Sequence, residues 1–168
     1  MNRKLKLRMV VLIIVMLALI GSPALTLAND KLDERPPAPT VGFPAGTSAP
    51  GGDPGFGIMS QELLKIWNAA IMVNSSNSVE IRGFTDTLGA VEKVAIRLTL
   101  QYWDQTNLEW VDVAYAGEWF NLNSSTVTAS TSYYVTTGQY YQTKAYHYAI
   151  DGSIIESKTS YSGYVYVP

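Results

Sequence analysis

The second half of the chain alternates apolar and polar residues with a period of two, in segments that short polar stretches separate. The segments are rich in β-branched and aromatic residues, which suit the half-buried surface of a sheet. Six strands are predicted, at residues 79–84, 91–103, 110–115, 127–135, 140–150 and 154–167. Turn-forming residues fall between them at 74–77, 88–89, 104–107, 121–124, 137–138 and 151–152. The pattern predicts an all-β domain.

The alternation also gives each predicted strand one apolar face, because successive side chains of a strand point to opposite sides. Four sets of alternating residues are expected to face the core: 94, 96, 98, 100 and 102; 111, 113 and 115; 127, 129, 131 and 133; and 141, 143, 145, 147 and 149. Six or seven such strands are best buried as two sheets packed face to face. The expected fold is a single antiparallel β-sandwich.

An apolar segment at residues 58–74 precedes these strands and has two possible structures. Residues 60–65 could cap and fill one or two helical turns, whereas residues 67–73 could equally form a strand. The sequence leaves this choice open.

The first 28 residues have the pattern of a secretory signal peptide. Four basic residues within 3–8 precede an apolar run at 9–20, and small residues at 26–28 offer a cleavage site. A retained anchor is the alternative, but this run is shorter than the ~20 apolar residues that a membrane span needs. We therefore expect a secreted, extracellular protein without a membrane anchor after cleavage.

Residues 29–57 differ in composition from the rest of the chain. They hold six of the eight prolines and six of the thirteen glycines, which predicts an extended, disordered linker without packed structure. Its use as a spacer or as a trimmed pro-segment stays open. The expected organisation is a signal peptide at 1–28, a linker at 29–57 and a folded domain at 58–168.

Charge and cysteine content exclude several classes of partner and of chemistry. Without residues 1–28 the chain carries eight basic and fourteen acidic residues, a net charge of −6, so it has no electrostatic footprint for nucleic acid. The chain has no cysteine, so no disulfide can form and the core alone must hold the fold. A domain of roughly 110 residues is large enough for that.

The closing part of the chain resembles a known fold family. Residues 135–141, the alternating strand after them, the turn at 151–152 and the serine-rich final strand are similar to the end of fibronectin type III and related immunoglobulin-like sandwiches. In those domains a tyrosine three residues after a turn glycine forms the tyrosine corner, and Tyr141 has that spacing from Gly138. The resemblance implies an immunoglobulin-like sandwich.

A longer stretch, from about residue 80 to 166, resembles a family of small exported proteins of unknown function from Bacillus and Clostridium relatives. The residues that carry this resemblance are 79–85, 100–101, 110, 138–141, 147, 152 and 156–157. It implies a signal peptide, a β-sandwich and a Gram-positive source, and it brings no activity or catalytic residue.

The residues that could support catalysis are few, and we expect no enzyme, no metal site and no cofactor. His147 is the only histidine, and no G-x-S-x-G nucleophile motif accompanies it. We expect it to pack on the core face. A two-residue loop at 151–152 would set it opposite Glu156, a pair that could act as a modest pH sensor or only as a structural contact. The acidic residues Glu109, Asp112 and Glu118 are expected to be solvated.

Tyrosine is the distinctive residue of the last third of the chain, with nine of the eleven tyrosines between residues 133 and 166. Alternation places five of them on the outer face of a sheet, and they are the predicted binding residues: Tyr140, Tyr146, Tyr148, Tyr164 and Tyr166. An exposed tyrosine face can stack on sugar rings or form a protein interface, with Gln142 and Lys144 as polar contacts. The alternative is cross-strand pairing that only stabilises the sheet.

Two functions from different classes follow. In the first, the protein is a non-catalytic binding module for a cell-wall glycan or a surface protein. In the second, it is a secreted effector, for example a bacteriocin-like protein, that attacks a membrane or protein with an exposed, amphipathic segment at 58–74. The ligand and the oligomeric state stay open.

Overall fold

The computed structural model describes residues 35–42, 56–58 and 63–168, which form an all-β structure. The strands are β1 (Phe56–Ile58), β2 (Leu64–Ser75), β3 (Ser78–Asp104), β4 (Glu109–Tyr134), β5 (Gln139–Asp151), β6 (Ile154–Tyr161) and β7 (Val165–Val167). All their pairings are antiparallel. No helix that could cross a membrane occurs in these ranges. The all-β prediction is confirmed, and the predicted signal peptide at 1–28 lies outside the described residues.

The strands form one sheet that is organised around the long strand β3. The sheet order is β1-β2-β3-β5-β6, with β4 also paired to β3 and β7 paired to β5. Residues 78–87 of β3 pair with β2, whereas residues 93–102 pair with β5. Strand β4 follows β3 on its other side along nearly its whole length. The register between β3 and β4 shifts between Asp86 and Val91, so the regular pairing of the hairpin is interrupted there.

The interruption lets the sheet curl into a half-barrel whose two halves enclose the core. The two parts of β3 pack on each other, since a Cβ atom on Gly83 would lie 2.2 Å from Ile96 Cδ1. Strand β2 also contacts β5 directly, where Thr143 Oγ1 donates a hydrogen bond to the carbonyl of Ala70. A sandwich of two separate sheets is not confirmed, because one continuous sheet provides both layers.

Two of the predicted turns lie inside strands. The turn-forming stretches at 88–89 and 121–124 fall within β3 and β4, so four predicted strands are parts of two long ones. Asn123 has a positive φ of 49°, which asparagine tolerates better than most residues. These residues interrupt the regular ladder without reversing the chain.

The open question about residues 58–74 is answered for the part that the structure describes. Residues 64–75 form strand β2, and the apolar side chains Trp67, Ala69 and Ile71 are buried in the core. The membrane version of the effector hypothesis required this apolar side to be exposed. These three side chains do not provide such a side, whereas Met72 and Val73 of the same strand are exposed.

The predicted core faces are confirmed for β3 and β5 but not for the first half of β4. Val113 and Tyr115 were expected in the core, yet both are exposed, and Ala114, Ala116 and Trp119 pack against the core instead. The register shifts twice here, between Leu98 and Thr99 and between Leu100 and Gln101 of β3. Each shift inserts an extra residue in β4, and each extra residue reverses the alternation of faces.

Tyr141 makes the contact that its spacing from Gly138 suggested. Its ring lies in the core, and its hydroxyl donates a 2.9 Å hydrogen bond to the carbonyl of Thr136, five residues upstream. A tyrosine corner makes a bond of this kind. The long hairpin of β3 and β4 contributes to both layers of the fold, whereas an immunoglobulin-like sandwich has two separate sheets. The immunoglobulin-like resemblance is therefore not confirmed.

Candidate functional site

The candidate site is the outer face of the sheet, the side of β3, β4 and β5 that points away from the core. All five predicted tyrosines lie on this side or next to it, in two groups. We call the first group the covered end, which consists of Trp103, Trp110, Tyr140, Tyr164 and Tyr166. We call the second the open end, which consists of Lys93, Arg97, Tyr115, Glu118, Phe120, Leu122, Tyr146 and Tyr148.

The covered end is a continuous chain of ring contacts. Ring centroids are 5.3 Å apart between Trp103 and Trp110, and 6.2 Å apart between Trp110 and Tyr164. Tyr140 continues the chain, at 5.6 Å from Tyr164 and 5.0 Å from Tyr166. Such spacings are typical of favourable aromatic pairs. The rings therefore form one preformed apolar surface.

The two tryptophans of this surface were not among the predicted binding residues. Trp103 and Trp110 are paired directly across the hairpin that joins β3 to β4. The turn at 104–107 fixes that pairing, since Asp104 Oδ1 accepts hydrogen bonds from the backbone N–H groups of Thr106 and Asn107. These bonds lower the pKa of Asp104. The sequence signal that could have identified them is a pair of tryptophans with one on each side of a predicted turn.

Residues 35–42, which were expected to belong to an unpacked linker, lie on the covered end. Tyr140 Oη donates a 3.0 Å hydrogen bond to the carbonyl of Pro36, and Trp110 Nε1 donates one of 3.0 Å to the carbonyl of Val41. Pro39, between them, is buried. Residues 35–42 therefore cover this end of the outer face.

A row of polar side chains separates the two ends. Gln142 Nε2 donates to Gln101 Oε1 at 2.8 Å, and Gln101 Nε2 donates to Asp112 Oδ1 at 2.6 Å. Lys144 Nζ lies 3.4 Å from the other oxygen of Asp112. Side chains therefore link strands β3, β4 and β5, in addition to the backbone hydrogen bonds between them. Asp112 has partners here rather than being a solvated acid alone.

The open end is organised around the carboxylate of Glu118. It accepts hydrogen bonds from Lys93 Nζ at 2.8 Å, from Arg97 Nε at 2.6 Å and from Tyr148 Oη at 2.7 Å. The bonds from Lys93, Tyr148 and Arg97 lower the pKa of Glu118 to about 2. Hydrogen bonding to Glu118 also raises the pKa of both Lys93 and Arg97.

The two cations of the open end also lie against aromatic rings. Lys93 Nζ is 4.6 Å from the ring centroid of Phe120 and 5.1 Å from that of Tyr148. The Arg97 guanidinium carbon is 5.8 Å from the ring centroid of Tyr146 and 5.3 Å from that of Tyr148. Tyr148 is buried beneath these neighbours. The ion pairs and cation–π contacts hold the cluster in one arrangement.

The open end, unlike the covered end, presents apolar side chains to solvent. Exposed fractions are 38% for Tyr146, 51% for Phe120, 61% for Leu122 and 63% for Tyr115. Phe120 and Leu122 alternate on the outer side of β4, opposite Ala95 and Lys93 of β3. Sequence reasoning missed these three β4 residues because it ended the predicted strand at residue 115 and assigned Tyr115 to the core.

His147 is in the core, as expected, but its neighbours differ from the predicted one. It pairs across the hairpin with Lys158, and Glu156 pairs with Ala149, because the loop is Gly152–Ser153 rather than 151–152. The ring nitrogens Nδ1 and Nε2 lie 2.8 Å from Thr85 Oγ1 and 2.7 Å from Ser160 Oγ. Burial lowers the pKa of His147 to about 3.

The serine beside this histidine gives the arrangement a superficial likeness to a nucleophile and its base. Ser160 and His147 are both buried, so no substrate can reach the serine hydroxyl in this arrangement. The two hydroxyls satisfy both ring nitrogens of a neutral imidazole. The group is therefore a core hydrogen-bond network, and it offers no accessible base.

A cleft of about 360 Å³ lies on the inner side of the half-barrel, between the core-facing side chains of β3, the end of β4 and the start of β5. Its lining includes Leu100, Tyr102, Tyr133, Val135 and Tyr141. These side chains are mostly apolar and carry no charge. Within the described ranges, no group of three or more histidine or acidic side chains could hold a metal ion.

Comparisons with known proteins add little to this geometry. No family model matches the chain, and no curated protein matches it. Among solved structures it is similar to the sporulation control protein Spo0M from Bacillus subtilis, with a TM-score of 0.27 and 7% identity over 58% of this chain. The similarity spans 48% of that structure, about half its length. A likeness at this level carries no argument, so the expected family of exported proteins is not confirmed.

Proposed function

We propose that the protein is a secreted, non-catalytic binding module that holds a cell-surface glycan or protein at its open end. The observation that carries the proposal is the row of solvent-exposed apolar side chains at Tyr115, Phe120, Leu122 and Tyr146, beside fixed charges. Exposed rings provide apolar area for a sugar face or a protein side chain, and neighbouring charged groups fix orientation. The ground for secretion is the sequence pattern of residues 1–28.

Preorganisation of the open end supports binding over sheet stabilisation alone. Glu118 is bonded to three side chains from β3 and β5, so Arg97 and Lys93 are held beside the exposed rings before a ligand arrives. A surface that is already ordered loses less conformational entropy when it binds.

Two ionisable groups that could have served as an acid or a base do not fit that role, which supports the non-catalytic part of the proposal. The only histidine of the chain is buried and neutral, with its pKa at about 3. Glu118 is the carboxylate at the open end, and its pKa of about 2 makes it a poor general acid at neutral pH.

The proposal is tested by retention of the purified protein on producer cell walls, on insoluble glycans and on intact neighbouring bacteria. We expect saturable retention that falls at least tenfold in a Tyr146→Ala/Phe120→Ala variant, whose thermal stability should change little because both side chains are exposed. Tyr134→Ala is the matched control, since Tyr134 is 86% exposed on the other half of the sheet. Retention that is absent everywhere, or equal in both variants, would overturn the proposal.

A further inference from the structure

The covered end and the segment 35–42 fit each other as a receptor and a ligand do. Three side-chain donors from separate parts of the fold reach carbonyl groups of the segment. Tyr140 on β5 bonds to Pro36, Trp110 on β4 bonds to Val41, and Gln105 in the turn between β3 and β4 donates a 2.8 Å bond to Pro37. The contacts therefore follow the segment along its length.

The chemistry of these contacts suits a proline-rich chain. Proline has no backbone N–H, so its carbonyl is the only polar backbone group that it offers. Every one of the three bonds has the segment as acceptor and the sheet as donor. A residue before proline is restricted to extended conformations, which keeps the segment Arg35-Pro-Pro-Ala-Pro39 extended before it docks. Aromatic surfaces with such donors recognise extended proline-rich peptides in other domains.

The rings supply the apolar part of the contact. Pro39 is buried, whereas Ala38 and Thr40 on either side are exposed. The Arg35 guanidinium carbon lies 5.8 Å from the ring centroid of Tyr166. Gly42 has a φ of 100°, and a Cβ atom there would lie 3.5 Å from Tyr164 Cδ1 and 3.8 Å from Trp110 Nε1. Gly42 thus lies beside the rings, in a backbone conformation that favours glycine.

A second observation also indicates a ligand site at this end. Trp103 is buried, and its indole Nε1 has no hydrogen-bond partner in the structure. A buried donor without a partner costs about 1–3 kcal/mol, so folded proteins rarely keep one without a reason. Trp103 contacts Trp110, whose own indole nitrogen bonds to the segment. Trp103 therefore brings an unused donor to the cluster of rings that the segment contacts.

We infer that the covered end is a binding site for extended proline-rich peptides, and that residues 35–42 occupy it as an intramolecular ligand. A tethered ligand acts at an effective concentration on the order of millimolar. The same peptide supplied separately must compete against that concentration, so the intact protein keeps the site closed. Weakening the tethered segment opens the site to a peptide in solution. This inference concerns the covered end and does not rest on the function proposed for the open end.

The test uses the full chain and a dye-labelled peptide with the sequence of residues 35–42. A Pro36→Ser/Pro39→Ser variant weakens the intramolecular ligand without altering any strand. We expect the peptide to bind this variant at least tenfold more tightly than it binds the unaltered protein, as measured by fluorescence anisotropy. Thermal unfolding that matches the unaltered protein within a few degrees shows that the sheet is intact.

Two matched variants on the Pro36→Ser/Pro39→Ser background locate the site. Adding Tyr140→Phe removes the donor to the carbonyl of Pro36 and should weaken the peptide severalfold. Adding Tyr146→Phe makes the same chemical change at the open end and should leave the affinity unchanged. A control peptide with serine at the three proline positions should bind at least tenfold more weakly.

The inference is overturned if the peptide fails to bind the Pro36→Ser/Pro39→Ser variant, or if it binds the unaltered protein equally well. Equal binding of the serine peptide would overturn it too, because the site would then have no preference for proline. Loss of cell-wall retention in the Tyr146→Ala/Phe120→Ala variant bears on the open end alone. The two ideas can therefore fail separately.

Discussion

Gly83 lies directly beneath the side chain of Ile96, although both residues belong to strand β3. A Cβ atom on Gly83 would be 2.2 Å from Ile96 Cδ1 and 2.9 Å from Leu98 Cδ2. The two parts of one strand can meet in this way only because the sheet curls between them. The absence of a side chain at residue 83 sets how closely the two layers approach.

Gly83→Ala should therefore destabilise the protein by about 1–3 kcal/mol, because the new methyl group must displace buried side chains. Gly89→Ala is the matched control, since a Cβ atom there has no atom within 4 Å and should change stability by less than about 0.5 kcal/mol. Urea unfolding of both variants measures the difference. Equal midpoints for the two would show that the layers can separate at no cost.

Period-two alternation predicted the core correctly where the strands pair without interruption. Val94, Ile96 and Leu98 on β3, and Ala145 and Ala149 on β5, are buried as expected. In β4 the predicted alternation is wrong at Val113 and Tyr115. Each register shift against β3 adds one residue to β4, so the side chains that follow it point to the opposite side of the sheet. Nothing local in the sequence around Val113 marks such a shift, since the partner strand determines it.

The candidate site was predictable in part for the same reason. Alternation along β5 places Tyr140 and Tyr146 on one face without knowledge of any other strand. Phe120 lies beside them only because of the strand registers. Ala95 of β3 pairs with Phe120 of β4 on one side and with Tyr148 of β5 on the other. The composition of residues 29–57 indicates an extended chain but cannot indicate a surface on which part of that chain docks.

Glu156 joins the start of β2 to β6. Its Oε2 atom accepts hydrogen bonds of 2.9 Å from the backbone N–H groups of both Leu63 and Leu64, and the carboxylate is buried. Glu156→Ala should cost about 2–4 kcal/mol, because two N–H groups lose their acceptor. Glu156→Gln keeps a carbonyl acceptor at the same place and should cost about 1 kcal/mol.

Urea unfolding separates these two variants of Glu156, and amide hydrogen exchange at Leu63 and Leu64 tests the mechanism. Exchange at both amides should accelerate strongly in the alanine variant and weakly in the glutamine variant. Equal stability of the two variants would show that the contact between β2 and β6 depends on packing rather than on the carboxylate.

The carboxyl group of Glu118 should titrate near pH 2, which carbon NMR of the side chain can follow directly. Lys93 is the largest cause of this low pKa, followed by Tyr148 and Arg97. Lys93→Met should therefore move the titration midpoint of Glu118 upward, toward the ordinary value of 4.5. Lys144→Met is the control, since Lys144 pairs with Asp112 instead. The same midpoint in both variants would contradict the assigned partners.

His147 should make the stability of the fold depend on pH between about 3 and 6.5. Its pKa is about 3 in the folded protein and 6.5 in an unfolded chain, because burial penalises the charged ring. Below pH 6.5 the unfolded state binds a proton that the folded state does not, so stability falls as the pH falls. The expected loss is about 2 kcal/mol at pH 5.

The pH dependence from His147 can be separated from that of the carboxylates. Glu80 and Glu118 have pKa values of about 2 in the folded protein, and they affect stability only below about pH 4.5. His147→Gln keeps a donor and an acceptor for Thr85 and Ser160 but cannot ionise. Urea unfolding at pH 5.0 and 7.0 should show the loss in the unaltered protein and little change in the variant. An equal loss in both would mean that groups other than His147, the only histidine of the chain, cause the pH dependence. Little loss in either would mean that the folded protein admits a proton at His147.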